Sequence, residues 1–502
     1  MICKSLKGAI SMKRILSIFL ILALLSSVTA FAENSPGGMP PGNPPGGRMG
    51  PPPDGAPGEG GRSGGDTPPG DPPDNGMGTP PGGFPGEGGG FGGGTPPGGG
   101  ASSFEYAAAT EITEAAEQAG QAYTSVTGDE SALLINTSDS VTISSPAVTK
   151  SGDSSGGDNC SFYGLNAALL VMGGSTTSIT GGTITSDANG ANGVFSYGGN
   201  GGRNGAAGDG TTVIITDTAI TTTGNGSGGI MTTGGGIMYA SNLTVETSGR
   251  SSAPIRTDRG GGTVVVDGGT YTSNGLGSPA IYSTADITVK NAALVSNLSE
   301  GVCIEGMNSI TLENCDLTAS NTQCNGNATF LDSIMIYQSM SGDADSGTSA
   351  FTMTGGSLTS LSGHMFHVTN THAVITLSGI KLINDGSDVL LSVCDDGWNG
   401  ASNTCDLIAD SQVLNGTILT GDNSTLNLTL KNGSVFEGTF SGNIINAKDT
   451  QVSTEIGTVN VVLDETSTWT LTADTYVTGF EGSIENVTCN GFTLYVNGNA
   501  VN

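Results

Sequence analysis

An internal repeat constrains this chain of 502 residues more than any other feature of its sequence. In each unit two alternating apolar residues lead to a turn residue, and another apolar residue follows three positions later. Eleven turn residues align in this way: Ser145, Gly181, Asp217, Asn242, Gly268, Asn291, Asn314, Gly355, Gly379, Asp410 and Asn432. The steps between them are 36, 36, 25, 26, 23, 23, 41, 24, 31 and 22 residues. A base unit of roughly 22–26 residues with loop insertions predicts a fold of stacked repeats.

Each unit predicts short strands that stack into a parallel β-helix, an all-β solenoid. Alternating apolar residues place one side of a strand in the core, and Gly, Asn and Asp accept the left-handed backbone angles of a sharp corner. A second apolar strand follows in several units, at residues 193–195, 229–231, 280–282, 302–304 and 389–391. At roughly 24 residues per coil, residues 103–502 would form roughly 16 coils.

The composition changes sharply ahead of the repeats. Residues 34–100 hold 18 of the 21 prolines and 27 of the 84 glycines. Such a stretch buries little apolar area and lacks the strict period of collagen. We therefore interpret residues 33–102 as a disordered Pro/Gly-rich linker, either a spacer through a cell-wall matrix or an idle tether.

The N-terminus has the pattern of a secretory signal peptide. A basic start at residues 12–14, an apolar run at residues 15–28 and an A-x-A site at residues 30–32 predict cleavage before Glu33. The apolar run is too short for a membrane span. We expect residues 1–32 to direct export and to leave a secreted or surface-associated chain without a transmembrane span.

The charge balance argues against one class of partner. The chain has 15 Lys and Arg against 45 Asp and Glu, which gives a formal net charge of −30. Nucleic acids and anionic membranes bind basic faces, so we expect no nucleic-acid partner. A polysaccharide or a glycoprotein surface fits this composition.

Three segments carry a resemblance to a known class of proteins: residues 151–164 (SGDSSGGDNCSFYG), residues 256–262 (RTDRGGG) and residues 334–343 (IMIYQSMSGD). Together with the Gly- and Asn-punctuated repeats, they resemble secreted right-handed parallel β-helix proteins of the pectate-lyase-like superfold. They are more narrowly similar to adhesin-like surface proteins of anaerobic bacteria. The resemblance covers about residue 106 to the end. It implies the right-handed fold and the extracellular compartment, and it supplies no catalytic residue.

Three arginines stand close together in an acidic chain. Arg250, Arg256 and Arg259 lie within ten residues. Guanidinium groups bind carboxylates in a bidentate geometry, so the cluster could hold the uronate or sialate units of a polysaccharide. The alternative is a surface salt-bridge group that Asp258 and neighbouring coils neutralise.

Close acidic pairs are the weak candidates for a Ca²⁺ site, because Ca²⁺ takes several oxygen ligands. They are Asp153 with Asp158 and Asp343 with Asp345. The loop that begins Asp343-Ala344-Asp345 lacks the closing Glu of a calcium loop. We expect no cofactor other than Ca²⁺.

Asp395, Asp396 and Trp398 form the second candidate for ligand binding. The pair of carboxylates matches one sequence block of pectin hydrolases on this fold, but the other three blocks are absent. Trp398 offers an aromatic face for stacking on a sugar beside these carboxylates. The alternative is a structural loop that a disulfide between Cys394 and Cys405 closes.

The cysteines and histidines allow further predictions. Cys394 with Cys405, and Cys315 with Cys324, bracket polar loops and are plausible disulfides in an exported protein, or else small buried side chains. His364 and His367 lie near His372, but in a strand they would point to opposite faces, which argues against a shared metal.

Three functions remain open. We favour an exported, adhesin-like β-helix protein that binds a surface target, preferably carbohydrate, without catalysis. The first alternative is a Ca²⁺-dependent polysaccharide lyase or hydrolase, although no catalytic set is evident in the sequence. The second is a purely structural cell-surface protein.

Overall fold

The computed structural model describes residues 104–200, 207–398 and 403–501. These residues form an all-β structure, with one short α-helix (Asn159–Tyr163) and one 3₁₀ turn (Ile484–Asn486). The predicted signal peptide and linker lie outside the described residues. Among the residues described, no helix is both long and apolar enough to cross a bilayer.

Two large sheets contain most of the strands, and every strand pairing inside them is parallel. The twenty-strand sheet comprises Ala116–Ala119, Ala122–Ser125, Ser140–Ser144, Ala147–Lys150, Thr176–Thr180, Thr183–Ser186, Thr212–Thr216, Ala219–Thr222, Gly236–Thr247, Gly262–Ser273, Asp286–Lys290, Ala293–Ser296, Ser309–Ala319, Thr348–Ser360, His372–Ser378, Lys381–Asn384, Asn403–Asp410, Ser424–Lys431, Thr458–Leu463 and Gly479–Glu481. The fifteen-strand sheet comprises Glu111–Ile112, Leu133–Asn136, Leu169–Met172, Val194–Tyr197, Ile230–Thr233, Ile255–Thr257, Ile281–Ser283, Val302–Glu305, Asp332–Tyr337, His364–Thr369, Val389–Val393, Val413–Thr420, Val435–Ser441, Thr468–Leu471 and Val487–Thr488.

Three small sheets complete the described structure. They consist of Ala107–Ala108 with Glu130–Ser131, Ile444–Ile445 with Gln451–Ser453, and Thr475–Val477 with Leu494–Val496 and Asn499–Ala500. The chain visits the two large sheets in turn, and each strand pairs with the strand from the preceding repeat. This arrangement is compatible with the predicted β-helix.

The predicted turn residues mark the corners of the twenty-strand sheet. Ten of the eleven have positive φ angles between 50° and 76°, as in Asn242 (53°) and Gly268 (76°). The exception is Asp410, which pairs as a strand residue, while its neighbour Ser411 has a φ of 54°. The alignment was one residue wrong at this repeat, because Ile408 and Val413 mimic the apolar spacing around the true corner.

The core lies between the inner faces of the two large sheets. One buried cluster joins Ile215 and Val266 of the twenty-strand sheet to Val194 and Ile281 of the fifteen-strand sheet. The five predicted second strands all coincide with strands of the fifteen-strand sheet. Small and β-branched side chains therefore build the core, as a composition of 5% aromatic residues requires.

The outer face of the fifteen-strand sheet is also covered, and this positions the candidate site. Successive strands place nine outward residues side by side, which we call the outer column: Phe195, Met231, Arg256, Tyr282, Cys303, Met335, His367, Ser392 and Leu419. The helix Asn159–Tyr163 and the loops between the sheets cover it, so eight of the nine are at most 8% exposed. The remaining one is Arg256.

Neither predicted disulfide is present. All seven cysteines in the described ranges are free thiols. Cys315 and Cys405 point into the main core, whereas Cys394 belongs to a separate cluster outside the fifteen-strand sheet, and Cys324 is a partly exposed loop residue. The members of each pair therefore lie in different surroundings.

Candidate functional site

A cavity of about 220 Å³ opens over the outer column at Arg256 and Tyr282. All three segments that carry the family resemblance meet there, although they are far apart in sequence. The lining residues that matter for its chemistry are Asp158, Phe162, Arg256, Asp258, Arg259, Tyr282 and Asp343.

The floor of the cavity comes from two neighbouring strands. Arg256 and Tyr282 pair in register, and the guanidinium carbon of Arg256 lies 5.9 Å from the centre of the Tyr282 ring. Arg256 donates to Asp258 through Nη2 (2.7 Å to Oδ2) and to the Ser251 carbonyl through Nη1 (3.1 Å). Asp258, two residues further along the same segment, is therefore the counter-ion of Arg256.

The walls come from the helix and from a loop. Arg259 donates to Asp343 Oδ1 from both Nε (2.9 Å) and Nη2 (2.6 Å), and this bond joins two segments 84 residues apart. Its guanidinium carbon lies 4.1 Å from the centre of the Phe162 ring, a cation–π contact. Thr233 anchors the helix by donating its hydroxyl to the Phe162 carbonyl (2.8 Å).

Burial alters the acidity of the cavity. The pKa of Asp258 is raised to about 6, chiefly by burial and also by the nearby Asp343 carboxylate, although Arg256 and the Arg259 backbone N–H oppose this change. Asp258 is therefore mostly ionised at neutral pH, yet it can take up a proton in mildly acidic solution. Three carboxylates and two guanidinium groups face the cavity.

A buried carboxylate supports the cavity from behind. Glu305 accepts hydrogen bonds from Tyr282 (2.6 Å), Tyr337 (3.2 Å) and Ser341 (3.1 Å), and also from Ser339. It is fully buried, and burial raises its pKa. Glu305 holds the ring that forms the floor and the loop that carries Asp343. The sequence analysis did not single it out.

The structure divides the predicted arginine cluster. Arg256 and Arg259 line the cavity, whereas Arg250 lies outside its lining and donates to Asn325 Oδ1 at 2.6 Å. Both cavity arginines are already paired with carboxylates, as the salt-bridge alternative predicted. The contacts of both arginines are thus the ion pairs of that alternative. The cavity leaves open space beside these ion pairs.

The predicted acidic pairs are also separated. Asp158 and Asp343 line the cavity, whereas Asp153 accepts bonds from the backbone N–H and the amide of Asn189 (2.8 and 3.1 Å), and Asp345 is outside the lining. In the described ranges no group of three or more His, Cys, Asp and Glu side chains is placed to hold a metal ion.

The loop at residues 395–398 does not offer a sugar-stacking face. Trp398 is only 8% exposed and packs on Tyr337, with ring centres 4.9 Å apart. Asp396 accepts from the backbone N–H and hydroxyl of Thr329 (2.7 and 2.6 Å), and Asp395 accepts from Asn403 (2.7 Å). These contacts hold the loop against neighbouring segments.

The histidines correct another expectation. His364 and His367 both reach Ser392 Oγ, at 2.8 and 2.7 Å, because Met365 and Phe366 between them both face the core, which breaks the alternation of the strand. His367 Nε2 also lies 3.3 Å from Asp396 Oδ2. The order of groups is that of a Ser–His–Asp relay. Ser392 and His367 are fully buried, however, so the hydroxyl is not accessible to a substrate. His372 lies apart and contacts Asp406.

Sequence reasoning could have found part of the cavity. Aligning the second strands of adjacent units would have placed Arg256 beside Tyr282. No periodic signal identifies Asp343, because it lies in a loop insertion. Comparisons with protein-family models, with curated proteins and with solved structures find no match to this chain.

Proposed function

We propose that this chain is an exported, adhesin-like right-handed parallel β-helix that binds carbohydrate, without catalysis, in the cavity over Arg256 and Tyr282. The observation that carries the proposal is the presence of two ion pairs, Arg256 with Asp258 and Arg259 with Asp343, in the lining of an open cavity. Such pairs hold donors and acceptors in fixed directions, which is how a site recognises the hydroxyl groups of a sugar.

The size and the walls of the cavity support a small polar ligand. A volume of about 220 Å³ is below the range of roughly 300–1,000 Å³ for sites that hold drug-sized molecules. One sugar unit of a longer chain fits this scale. Phe162 and Tyr282 add apolar surface against which a sugar ring can pack.

The rest of the chain supports an extracellular setting. The signal-like N-terminus and the Pro/Gly-rich segment of residues 33–102 suit an exported binding domain on a spacer. The right-handed form is proposed because right-handed connections between parallel strands are strongly preferred. The fifteen strands of one sheet support a solenoid of roughly 16 coils. A polysaccharide or a glycoprotein surface is the proposed partner.

A glycan array tests the proposal. The chain from Glu33 to Asn502 is applied to the array with Ca²⁺ and again with a chelator, and Arg259→Ala is compared with Arg250→Ala as the matched control. We expect glycan binding that the cavity variant loses and the control keeps, with equal thermal stability for both. Absence of binding, or equal loss in both variants, would contradict the proposal.

A second candidate function is hydrolysis or lysis of a polysaccharide. Asp258 and Asp343 face one cavity, and a pKa of about 6 suits Asp258 to general acid catalysis. Incubation with the glycans that bind, followed by an assay for new reducing or unsaturated ends, separates the two functions. Product formation that Asp258→Asn abolishes would replace the binding proposal with an enzymatic one.

A further inference from the structure

We propose that the sugar recognised in this cavity carries a protonated amine, and that its ammonium group binds beside Asp343 and Asp158. This inference rests on the proposed function, because it names the ligand class of the same site. It replaces the expectation of a uronate or sialate ligand. Three independent features of the cavity support it.

The first feature is the charge balance of the lining. Arg256 and Arg259 are the cations, and Asp158, Asp258 and Asp343 are the anions. One negative charge is therefore left without a counter-ion when all five groups are ionised. A bound ammonium group would neutralise the cavity, whereas a bound carboxylate would double its excess charge.

The second feature is that both guanidinium groups are already bonded to carboxylates of the protein. Arg256 is held by Asp258 and by the Ser251 carbonyl, and its side chain is only 11% exposed. Arg259 directs two donors at a single oxygen of Asp343. A ligand carboxylate would have to compete with these internal carboxylates for the bidentate geometry that it prefers.

The third feature is the pair of acceptors that remain. The side chain of Asp343 is only 9% exposed, and both hydrogen bonds from Arg259 end on its Oδ1. Asp343 lines the cavity, and neither bond from Arg259 ends on its Oδ2. Asp158 is exposed at the start of the helix and makes no capping bond with its side chain. These two carboxylates offer hydrogen-bond acceptors of the kind that an ammonium group needs.

Neutral groups complete the surroundings. Burial and the neighbouring Glu305 raise the pKa of the Tyr282 hydroxyl well above its usual value, so this side chain remains uncharged. Its hydroxyl points away from the cavity, toward Glu305. The aromatic floor therefore contributes apolar surface, and the selectivity for charge falls to the carboxylates.

The test compares oligosaccharides that carry a positive, a neutral or a negative group, of which the first two differ only in an acetyl group. Glucosamine, N-acetylglucosamine and galacturonate oligomers of equal length are titrated into the chain at several pH values between about 6 and 7. Titration of the free glucosamine oligomer gives the fraction of protonated amine at each pH. We expect the glucosamine oligomer to bind at least about tenfold more tightly than its acetylated counterpart. The galacturonate oligomer should bind most weakly.

Variants assign this preference to the cavity. Asp343→Asn and Asp158→Asn should each reduce the preference for glucosamine to about threefold or less, while Asp345→Asn, in the same loop but outside the lining, should keep it. Thermal unfolding of each variant shows that the fold is intact, and the exposed Asp158 provides a test if Asp343→Asn fails to fold.

The outcomes separate the two proposals. Equal or tighter binding of the acetylated or uronate oligomer overturns the inference and leaves carbohydrate binding in place. Binding of none of the three, together with an empty glycan array, overturns the proposed function and the inference with it.

Discussion

At the residue scale, the cavity shows how buried charges can be kept available for a ligand. A buried guanidinium without a counter-ion is very unfavourable, so each arginine must be paired before any ligand arrives. Arg256 and Arg259 meet this requirement with separate carboxylates. The pairs fix the side chains in place, and they also set the sign of the charge that remains.

Glu305 should be a positioning residue for this site. Glu305→Ala would leave four hydroxyl groups without their buried acceptor, and we expect the free energy of unfolding to fall by at least about 2 kcal/mol. Glu305→Gln keeps one acceptor oxygen and should lose about half as much. Urea unfolding measures both effects. The same variants should weaken glycan binding in the same order, and unchanged binding in Glu305→Ala would contradict the role.

Asp258 should make stability depend on pH. Its pKa is about 6 in the folded chain against roughly 3.9 in the unfolded chain, so the folded state binds more protons. Its contribution to the free energy of unfolding is therefore complete below about pH 4 and is lost as the pH rises through about 6.

The change amounts to at most about 3 kcal/mol. Urea unfolding of the wild type and of Asp258→Asn at several pH values isolates it, because the other acids are common to both. We expect the free energy of unfolding of the wild type, minus that of Asp258→Asn, to decrease from about pH 4 to about pH 7. A constant difference would contradict the raised pKa.

At the scale of the element, the corners decide which residues the repeat accepts. Ten predicted turn residues have left-handed backbone angles, and they include Asn, Asp, Ser and Gly. Only some corners also need the absence of a side chain. Gly356 and Gly379 both have positive φ angles, of 75° and 61°, but their surroundings differ.

These two glycines form a matched pair of substitutions. A Cβ at Gly356 would lie 2.0 Å from the Cys315 carbonyl oxygen of the adjacent strand, whereas a Cβ at Gly379 would meet nothing within 4 Å. Gly379→Ala should cost about 1–2 kcal/mol for the backbone angle alone. Gly356→Ala should cost clearly more, since a ladder strand must move. Equal losses in urea unfolding would show that the contact is relieved without cost.

Within single repeats, the sequence is sufficient to predict some corners and side-chain directions but not others. The apolar spacing around Asn242 or Asn291 predicts a corner because a core position and a left-handed angle recur together. At Asp410 that spacing fits two registers, and only the strand pairing distinguishes them. His364 and His367 show the limit of strict alternation, because two consecutive residues between them face the core and both histidine side chains reach Ser392.

At the scale of the whole molecule, the parallel all-β architecture follows from periodicity, but the site does not. Arg256 is a candidate because three of the few arginines in this chain lie within ten residues. The partnership of Arg259 with Asp343 depends on a loop insertion that returns to an earlier strand. Trp398 illustrates the converse case, because an aromatic residue beside carboxylates packs on Tyr337 and is buried.

The state of the cysteines is a property of the whole fold and can be measured directly. We expect the folded chain from Glu33 to Asn502 to contain seven thiols and no disulfide. Cys489 and Cys324, which are only partly buried, should react first with an alkylating reagent, and the other five should react after denaturation. Intact mass measurement counts the labels. A mass that indicates a bridge between Cys394 and Cys405 would contradict the structure.

The unequal lengths of the repeats have a consequence for how such a binding site can change. The floor of the cavity comes from repeats whose corners are 26 and 23 residues apart, at Asn242, Gly268 and Asn291. Its walls come from steps of 36 and 41 residues, which contain the helix Asn159–Tyr163 and the loop with Asp343. The longer steps leave the strand register intact. The strands and the residues that would determine ligand specificity therefore lie in different parts of the sequence. Exchanging the two loop insertions would place a different binding surface on the same sheets.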